Sequence, residues 1–198
     1  MCRRAGEKLF LKGERCFTPR CAIEKRRAAP GDQTGRRRRT SDRGLQLREK
    51  QKARHVYGIM ESQFKAYMEQ AFDRPGVTGQ YLLELLERRL DNAVFRLGFA
   101  ESRRQARQLV LHGHFTVNGR NTNIPSYLMR LGDVIAWKES SKQKDFFKAL
   151  TEDIPKRPVP QWLALDISTM TGRVSRLPIQ EDLESAIETR LIVEYYSR

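Results

Sequence analysis

Apolar residues in the first half of the chain repeat every three or four positions, the spacing that predicts helices with one buried face. Residues 45–54 suit a short basic helix, and the next helix begins with Ser62 as its cap. A third helix begins at Thr78 and carries an apolar stripe over residues 82–97, with Gly98 as its stop. Such stripes indicate a helical core rather than a cofactor site. The buried side of the second helix is predicted to contain Phe64, Tyr67, Met68, Ala71 and Phe72.

The segment 102–112 predicts a further helix. Ser102 and Gln105 have the spacing of a capping box, S-x-x-Q, at its start. Its apolar side commits it to packing, and we expect it to pack against the helix that contains residues 82–97. That apolar side consists of Ala106, Leu109 and Val110.

A small sheet is predicted after this helix. Asn118-Gly119 in FTVNGR is the strongest short signal for a hairpin turn. GDVIAW and WLALDI are further strand candidates, and the linker 138–158 is partly helical in pattern. Near the end, LPIQEDLE suits one turn of helix, and LIVEYY is predicted as a buried or edge strand or a final extended segment.

The positive charge is concentrated in the first quarter of the chain. The net charge is +14, and the first 54 residues hold 18 lysines and arginines against 6 acidic residues. This asymmetry indicates a basic arm whose self-repulsion a polyanion relieves, and nucleic acid is the usual polyanion. The alternative is a solvated tail without a partner. No apolar run reaches the roughly 20 residues of a membrane helix, and no stretch of signal-peptide length follows the first arginines, so secretion is not expected.

Three arginines give the helix at 102–112 a basic face. Arg103, Arg104 and Arg107 fall at positions i, i+1 and i+4 and so project together away from the apolar side. Guanidinium groups match phosphate oxygens, and His112 and His114 extend this candidate phosphate site. The alternative is an ordinary solvated face, which the absence of Asp and Glu from 102–112 disfavours. Exchanging Arg104 and Arg107 together for Glu is therefore expected to impair RNA binding with the fold intact.

Residues 88–127, RRLDNAVFRLGFAESRRQARQLVLHGHFTVNGRNTNIPSY, closely resemble the RNA-binding module of the fourth protein of the small ribosomal subunit, of bacterial or organellar type. LFLKGERCFTPRCAIEKRR, LREKQKARHVYGIMESQF, PQWLALD and LPIQEDLESAIETRLIVEYYSR follow the order of that family, so the resemblance covers nearly the whole chain. It implies an α+β protein with a basic N-terminal arm over residues 1–44. A helical domain, 45–87 completed by 176–198, would carry an inserted module of two helices and a small sheet over 88–175.

The resemblance also implies a structural role without enzymatic activity. The chain would bind small-subunit rRNA directly and early in assembly, lie near the path by which messenger RNA enters, and contact the fifth small-subunit protein in a way that bears on decoding accuracy. Its location would be a bacterial cytoplasmic or an organellar ribosome. The candidate RNA-binding residues are Arg36, Arg37, Arg38, Arg39, Arg48, Lys50, Lys52, Arg54, Arg88, Arg89, Arg103, Arg104, Arg107, His112, His114 and Asn118.

The three cysteines, Cys2, Cys16 and Cys21, all lie in the basic arm. An odd number without a signal peptide indicates reduced thiols or a metal rather than disulfides. Cysteine-bearing relatives resemble C-x-x-C-x13-C-x4-C, and the three match its last three positions, while the chain begins too late to hold the first. Because a closed zinc site needs four ligands, we expect zinc, or as second choice an iron-sulfur cluster, only with a further ligand. The alternative is three unligated thiols.

Two other functions are compatible with parts of the sequence. Pseudouridine synthases that modify RNA carry a similar module and use an aspartate in an RLD motif, which Arg89-Leu90-Asp91 spells, but too little chain remains for a separate catalytic domain. The other alternative is a regulator that binds one messenger RNA. The sequence does not separate that role from a ribosomal one.

Overall fold

The structure is a computed structural model that describes residues 1–31, 40–143, 147, 158–184 and 186–197, and it contains two compact units. The helical unit comprises Met1–Leu82 with Glu184–Arg198, and the sheet unit comprises Leu83–Leu183. The division falls within a helix, and it places 83–87 and 176–183 with the sheet unit rather than with the predicted helical domain.

The first 31 residues, which the sequence predicts to be an extended or loop-rich arm, form short helical turns joined by irregular segments. Helix α1 spans Cys2–Ala5, a 3-10 turn spans Gly13–Phe17, and α2 spans Ala22–Lys25. The sequence lacks a periodic pattern here because single apolar residues, separated by turns, supply the burial. The buried apolar residues of this segment are Leu9, Cys16, Cys21 and Ile23.

Helix α3 spans Asp42–Tyr57 and extends the predicted basic helix by one turn at each end. The Ser41 hydroxyl accepts a hydrogen bond from the Gly44 N–H at 3.2 Å, which satisfies one of the free donors of the first turn. Gly58, with φ at +65°, ends the helix in the left-handed conformation that glycine adopts without strain.

Helix α4 follows over Glu61–Phe72, and α5, over Thr78–Glu87, begins in the helical unit and ends in the sheet unit. The prediction of Ser62 as a cap is wrong, because α4 begins at Glu61 after Met60, whose side chain makes no cap hydrogen bond. The predicted buried side is confirmed except at Phe72, which is 42% exposed at the end of the helix.

The last helix, which we number α9, spans Thr189–Tyr196, so the prediction of a strand or extended segment is wrong. A short apolar run does not distinguish a helix from a buried strand by its pattern. Packing against α3 supplies the missing information. Gln46 donates from Nε2 to Glu194 Oε2 at 3.1 Å, and the N–H of Glu188 donates to Glu49 Oε1 at 2.8 Å.

The carboxylate of Glu61 ties α9 to α3 and α4. It accepts hydrogen bonds from Lys50 Nζ at 2.6 Å, from Arg54 Nη1 at 2.8 Å and from the Tyr196 hydroxyl at 2.8 Å. Burial acts to raise the pKa of Glu61, but the hydrogen bonds from Lys50, Tyr196 and Arg54 outweigh it and hold that pKa below 4.5. Burial and the bond to Glu61 raise the pKa of Tyr196 above its usual range.

We expect Glu61→Gln to destabilise the helical unit by about 1–2 kcal/mol at pH 7, because it weakens hydrogen bonds to a charged acceptor. A carboxyl whose folded pKa is lowered stabilises the fold above its unfolded pKa and loses that contribution as the pH falls through the folded value. The difference between Glu61→Gln and wild type should therefore shrink below about pH 4. Urea unfolding followed by circular dichroism at pH 7 and pH 3 measures it.

The matched control for this experiment is Glu69→Gln on the same helix. Glu69 pairs with Lys65 at 3.7 Å, and both side chains are 64% exposed, so its removal should cost less than about 0.5 kcal/mol at either pH. An effect of Glu61→Gln that is as large at pH 3 as at pH 7 would contradict the assigned role of its charge.

The sheet unit begins with a break between two helices. α5 ends at Glu87, and α6 spans Leu90–Arg96, so the single predicted helix through residue 97 is wrong. At the break the Leu90 N–H donates to the Tyr127 carbonyl and the Met129 N–H donates to the Arg88 carbonyl, each at 2.8 Å. The apolar spacing stays in phase across the break, so periodicity does not reveal it.

Five short antiparallel strands form one sheet in the order β2-β1-β3-β5-β4. The predicted hairpin and the predicted strands at β3 and β4 are confirmed, whereas β5 was not predicted, since TGRV is not apolar enough to stand out. Gly172 in β5 has no room for a Cβ atom, which would collide with the side chain of Leu97. The strands are β1 Phe115–Val117, β2 Arg120–Thr122, β3 Val134–Trp137, β4 Leu163–Asp166 and β5 Thr171–Val174.

Helices α6 and α7, the latter over Arg103–Leu111, bury one core with this sheet. Trp137 and Trp162 are 3% and 0% exposed, which places both in packing roles, as predicted. The described part of the linker that is predicted to be partly helical contains α8, Glu139–Lys142, and the predicted turn near the end is a 3-10 turn over Gln180–Asp182. The largest fully buried side chains of this core are Trp162, Phe99, Phe115, Leu90, Leu97, Met129 and Ile135.

Across the described ranges, none of the helices is both long enough and apolar enough to cross a membrane.

Candidate nucleic-acid interface

Helix α7 is fixed at its first turn and along one side. The Ser102 hydroxyl accepts from the Gln105 N–H at 3.3 Å, and the Gln105 amide oxygen accepts from the Glu101 N–H at 2.6 Å. The predicted Ser102 cap is therefore confirmed. In a standard capping box the Gln105 side chain would accept from the N–H of the cap residue itself, whereas here it accepts from the residue before the cap. Ala106, Leu109 and Val110 are buried, as predicted, which directs the opposite side of α7 outward.

The basic face of α7 is paired with acidic residues, contrary to the interpretation that it lacks them. Arg107 Nη1 lies 3.2 Å from Asp91 Oδ2, and Arg103 Nη2 lies 3.9 Å from Glu87 Oε1. The acids come from α6 and the end of α5 rather than from α7 itself. Searching only 102–112 for carboxylates therefore missed them, because packing brings α6 alongside α7.

Arg89 is buried and is not an accessible RNA-binding side chain, which corrects that prediction. It is 0% exposed, and its Nε and Nη2 donate to the two carboxylate oxygens of Asp91 at 3.0 and 2.9 Å. Asp91 also accepts the Asn92 N–H at 2.9 Å. The fork of Arg89 matches both oxygens of one carboxylate, so the pair fixes the first turn of α6.

A second buried carboxylate, Glu87, orients the polar side chains around it. It accepts two hydrogen bonds from Arg96, at 3.0 and 2.7 Å, and one from Asn92 Nδ2 at 2.6 Å. The Asn92 amide oxygen in turn accepts from Arg103 Nε at 2.7 Å, and the Arg103 guanidinium lies 4.7 Å from the centre of the Phe95 ring. Arg103 is therefore held in one orientation by a hydrogen bond and a cation-π contact.

Fewer of the basic side chains on α7 are exposed to solvent than predicted. Arg104 is exposed, the Arg107 side chain is 35% exposed and the Arg103 side chain is 12% exposed. His112 is exposed at the end of the helix, and its ring centre lies 6.2 Å from that of His114. These five side chains form what we call the α7 face. Contacts with Asn92 and Asp91 orient two of its guanidinium groups, those of Arg103 and Arg107.

Two further predicted residues of the sheet unit have structural partners. The Asn118 amide donates to Asp133 Oδ1 at 2.8 Å and accepts the Val134 N–H at 2.9 Å. Positive φ angles of 51° at Asn118 and 78° at Gly119 make the hairpin turn type I′. Arg88 donates to the Met129 carbonyl and to Glu84. Asn118 therefore shapes the turn, and Arg88 supports the helix break.

The predicted RNA-binding residues of α3, in the helical unit, differ in how far their side chains are exposed to solvent. Arg48 is exposed, but Lys50 and Lys52 are 4% and 9% exposed, which corrects the prediction that they face RNA. Lys50 binds Glu61, and Lys52 binds both Glu7 and Glu49 at 2.8 Å. Arg54 also pairs with Glu61. Glu49 lies in α3 itself, whereas Glu7 and Glu61 come from other segments and are not revealed by the pattern of the helix. The predicted Arg36, Arg37, Arg38 and Arg39 lie outside the described residues.

Comparison with known proteins assigns the family. Residues 1–87 match the family described as "Ribosomal protein S4/S9 N-terminal domain", and residues 88–135 match the one described as "S4 domain". The chain is 56% identical over all of its 198 residues to small ribosomal subunit protein uS4 of Heliobacterium modesticaldum, covering 95% of that protein. The chain belongs to the uS4 family. Identities are 54% to the proteins of the same name in Pelotomaculum thermopropionicum and Acetivibrio thermocellus, again over the full chain and 95% of each relative.

In this uS4 family member, the α7 face and Asp91 lie within the match to the S4 domain, and Glu87 is the last residue of the match to the N-terminal domain. Sequence reasoning missed the orienting residues Glu87 and Asn92. A signal for the acidic partners is present in the sequence: Glu87 and Asp91 lie four residues apart on either side of Arg88-Arg89, in the segment that precedes the basic helix. It also missed three exposed arginines on or beside the sheet, Arg120, Arg130 and Arg173.

The cysteines of this uS4 family member are free thiols in the structure. Cys16 and Cys21 are buried, and Cys2 is partly exposed. The hydrogen bond to Glu24 raises the pKa of Lys8 in the same segment. The Lys12 N–H donates to Cys16 Sγ at 3.3 Å. Among the residues that the structure describes, no group of three metal-ligating side chains lies close enough to hold an ion.

Proposed function

We propose that this chain is a structural constituent of the small ribosomal subunit and binds small-subunit rRNA directly. The observation that carries the proposal is the full-length similarity to proteins named small ribosomal subunit protein uS4. The α7 face and the basic first quarter of the chain supply the chemistry that such binding requires.

Binding through the α7 face would follow the rules of phosphate recognition. Folded RNA is recognised mainly by its shape and by its backbone, with additional contacts to unstacked bases. Arg107 is anchored on one side by Asp91 and has a side chain that is 35% exposed, so less side-chain freedom is lost when its guanidinium meets phosphate oxygens. Arg104 adds an exposed positive charge to the same helix.

The finer parts of the proposal concern place and timing. We infer that the chain binds early in subunit assembly, lies near the path of incoming messenger RNA and contacts the fifth small-subunit protein, with an influence on decoding accuracy. A strongly basic first quarter suits a protein that binds rRNA before neighbouring proteins cover it. The relatives named above come from bacteria, which favours a bacterial cytoplasmic ribosome over an organellar one.

A pseudouridine synthase role is disfavoured by the surroundings of Asp91. Its carboxylate accepts hydrogen bonds from Arg89 and Arg107 and is 3% exposed. A nucleophile or general base needs access to its substrate. Asp91 instead has a structural role, in agreement with relatives that are named as ribosomal proteins.

The test of the proposed function is binding of the purified chain to small-subunit rRNA at increasing salt. Neutralising about 6–10 phosphates should lower the affinity by roughly three to five orders of magnitude between 50 and 200 mM salt. The chain should also remain with small subunits through a high-salt wash. Affinity that is independent of salt would contradict the proposal. In-cell crosslinking that recovers chiefly one messenger RNA would favour a regulator instead.

We also propose that Cys2, Cys16 and Cys21 contribute to a zinc site completed by a further ligand, which requires the three thiols to come together as a group that the structure does not show. The hydrogen bond that the Lys12 N–H donates to Cys16 Sγ suits a thiolate, the form in which cysteine binds a metal. Zinc would supply the N-terminal segment with a cross-link that its few apolar residues do not provide. Metal analysis of purified protein tests it: about one zinc per chain, lost in Cys16→Ser, is expected, and metal-free wild-type protein would contradict it.

A further inference from the structure

Two phenylalanines of the N-terminal segment stack on each other at the surface. The ring centres of Phe10 and Phe17 are 5.2 Å apart with an interplanar angle of 29°. Phe10 is 49% exposed and Phe17 is 75% exposed. Exposed apolar groups that are arranged together mark interaction sites more often than isolated ones do.

Buried neighbouring residues and a backbone hydrogen bond hold the two phenylalanines in place. Leu9 and Cys16, the residues directly before the two phenylalanines, are buried and anchor the chain on either side. The hydrogen bond from the Lys12 N–H to Cys16 Sγ closes the loop between them. Phe10 has a φ of 47°, a left-handed conformation that is costly for an aromatic residue and that marks functional sites when the surroundings maintain it.

The charge around the pair identifies the class of ligand. Residues 1–31 contain nine lysines and arginines against three glutamates. Lys12, Arg15 and Arg20 are exposed next to the two phenylalanines in sequence, and within the described part of the chain none of the three forms an ion pair with a carboxylate. Exposed aromatic faces on a segment rich in cations match a nucleobase and its phosphates, since the rings can stack on the base and the cations can pair with the backbone.

We propose that Phe10 and Phe17 form a stacking platform for an unpaired base of the bound RNA, with Lys12, Arg15 and Arg20 on the adjoining phosphates. The proposal rests on the proposed function, because the RNA it needs is the small-subunit rRNA. It adds a base-contacting site in the helical unit to the phosphate-binding α7 face of the sheet unit.

The experiment compares Phe17→Leu and Phe10→Leu with wild type in binding to small-subunit rRNA of the source organism. Leucine keeps the apolar character and removes the aromatic face. Phe17→Leu should lower the affinity about 5- to 50-fold, as expected for the loss of one stacked base, without changing the dependence of affinity on salt. Phe17→Tyr should retain the affinity. Lys12→Gln should instead reduce the slope of log affinity against log salt by about one.

The matched control is Phe72→Leu, at an exposed phenylalanine 42% accessible at the end of α4; it should bind like wild type. Ultraviolet crosslinking of the wild-type complex followed by mass spectrometry should find a nucleotide on Phe10 or Phe17. That measurement needs no variant to fold.

Wild-type protein that fails to bind rRNA overturns the proposed function. Normal wild-type binding with equal affinity for Phe17→Leu, or crosslinks that avoid both phenylalanines, overturns the platform alone. An effect of Phe17→Leu only when other ribosomal proteins are present assigns the pair to a protein neighbour and also overturns it.

Discussion

Asp91→Asn is expected to destabilise the sheet unit by about 3–5 kcal/mol, the range for removing one partner of a buried ion pair. Arg89 is 0% exposed and relies on both carboxylate oxygens of Asp91 for a bidentate contact. Asparagine keeps the size of the side chain but replaces one acceptor oxygen by a donor NH₂ group and removes the negative charge. The buried guanidinium of Arg89 then loses its contact with the charge of Asp91, and Arg107 loses its ion pair with Asp91 as well.

The measurement is urea unfolding followed by tryptophan fluorescence. The chain has two tryptophans, Trp137 and Trp162, and both lie in the core of the sheet unit, so the signal reports that unit. Glu139→Gln is the matched control. Its carboxylate is 86% exposed and pairs only with Lys142 among the described residues, so we expect a loss of less than about 0.5 kcal/mol. If Asp91→Asn unfolds at the same urea concentration as Glu139→Gln, the buried pair does not stabilise the unit as the geometry indicates.

The elements that the sequence predicted well are those with local signals. The cap at Ser102, the turn at Asn118-Gly119 and the apolar side of α7 depend on residues within a few positions of one another. Each is governed by backbone hydrogen bonding or by the left-handed conformation of the turn residues. The α+β fold and the uS4 family assignment came from resemblance over the whole chain rather than from these signals.

The predictions that failed depend on contacts between residues distant in sequence. The break at Arg88-Arg89 exists because residues 125–129 return to hydrogen-bond its backbone. Residues 191–196 are helical because α3 provides a packing surface for them. Likewise, the ion pairs of Arg107 and Lys52 involve acids 16 and 45 residues away. A pattern within one element identifies its basic side chains but not the carboxylates that tertiary packing brings to them.

Replacing Arg104 and Arg107 by glutamine is expected to lower rRNA affinity about 10- to 100-fold at each position, the loss of one hydrogen bond between charged groups. Each change should also reduce the slope of log affinity against log salt by about one, if each guanidinium contacts one phosphate. Filter binding at several salt concentrations measures both quantities. Lys65→Gln, at a 64% exposed lysine of α4 outside the candidate set, is the control and should leave both unchanged.

The choice of glutamine rather than glutamate follows from the carboxylate behind Arg107. Since Arg107 Nη1 lies 3.2 Å from Asp91 Oδ2, a glutamate at 107 would bring a second negative charge next to a buried one and destabilise the helix pair. We therefore no longer expect the double exchange to glutamate to leave the fold intact. Glutamate at the exposed position 104 should be tolerated, whereas glutamate at 107 should destabilise the fold. Arg104→Gln should leave the tryptophan unfolding curve unchanged. If the two glutamine variants bind rRNA as tightly as Lys65→Gln does while remaining folded, the α7 face is not the phosphate-binding surface.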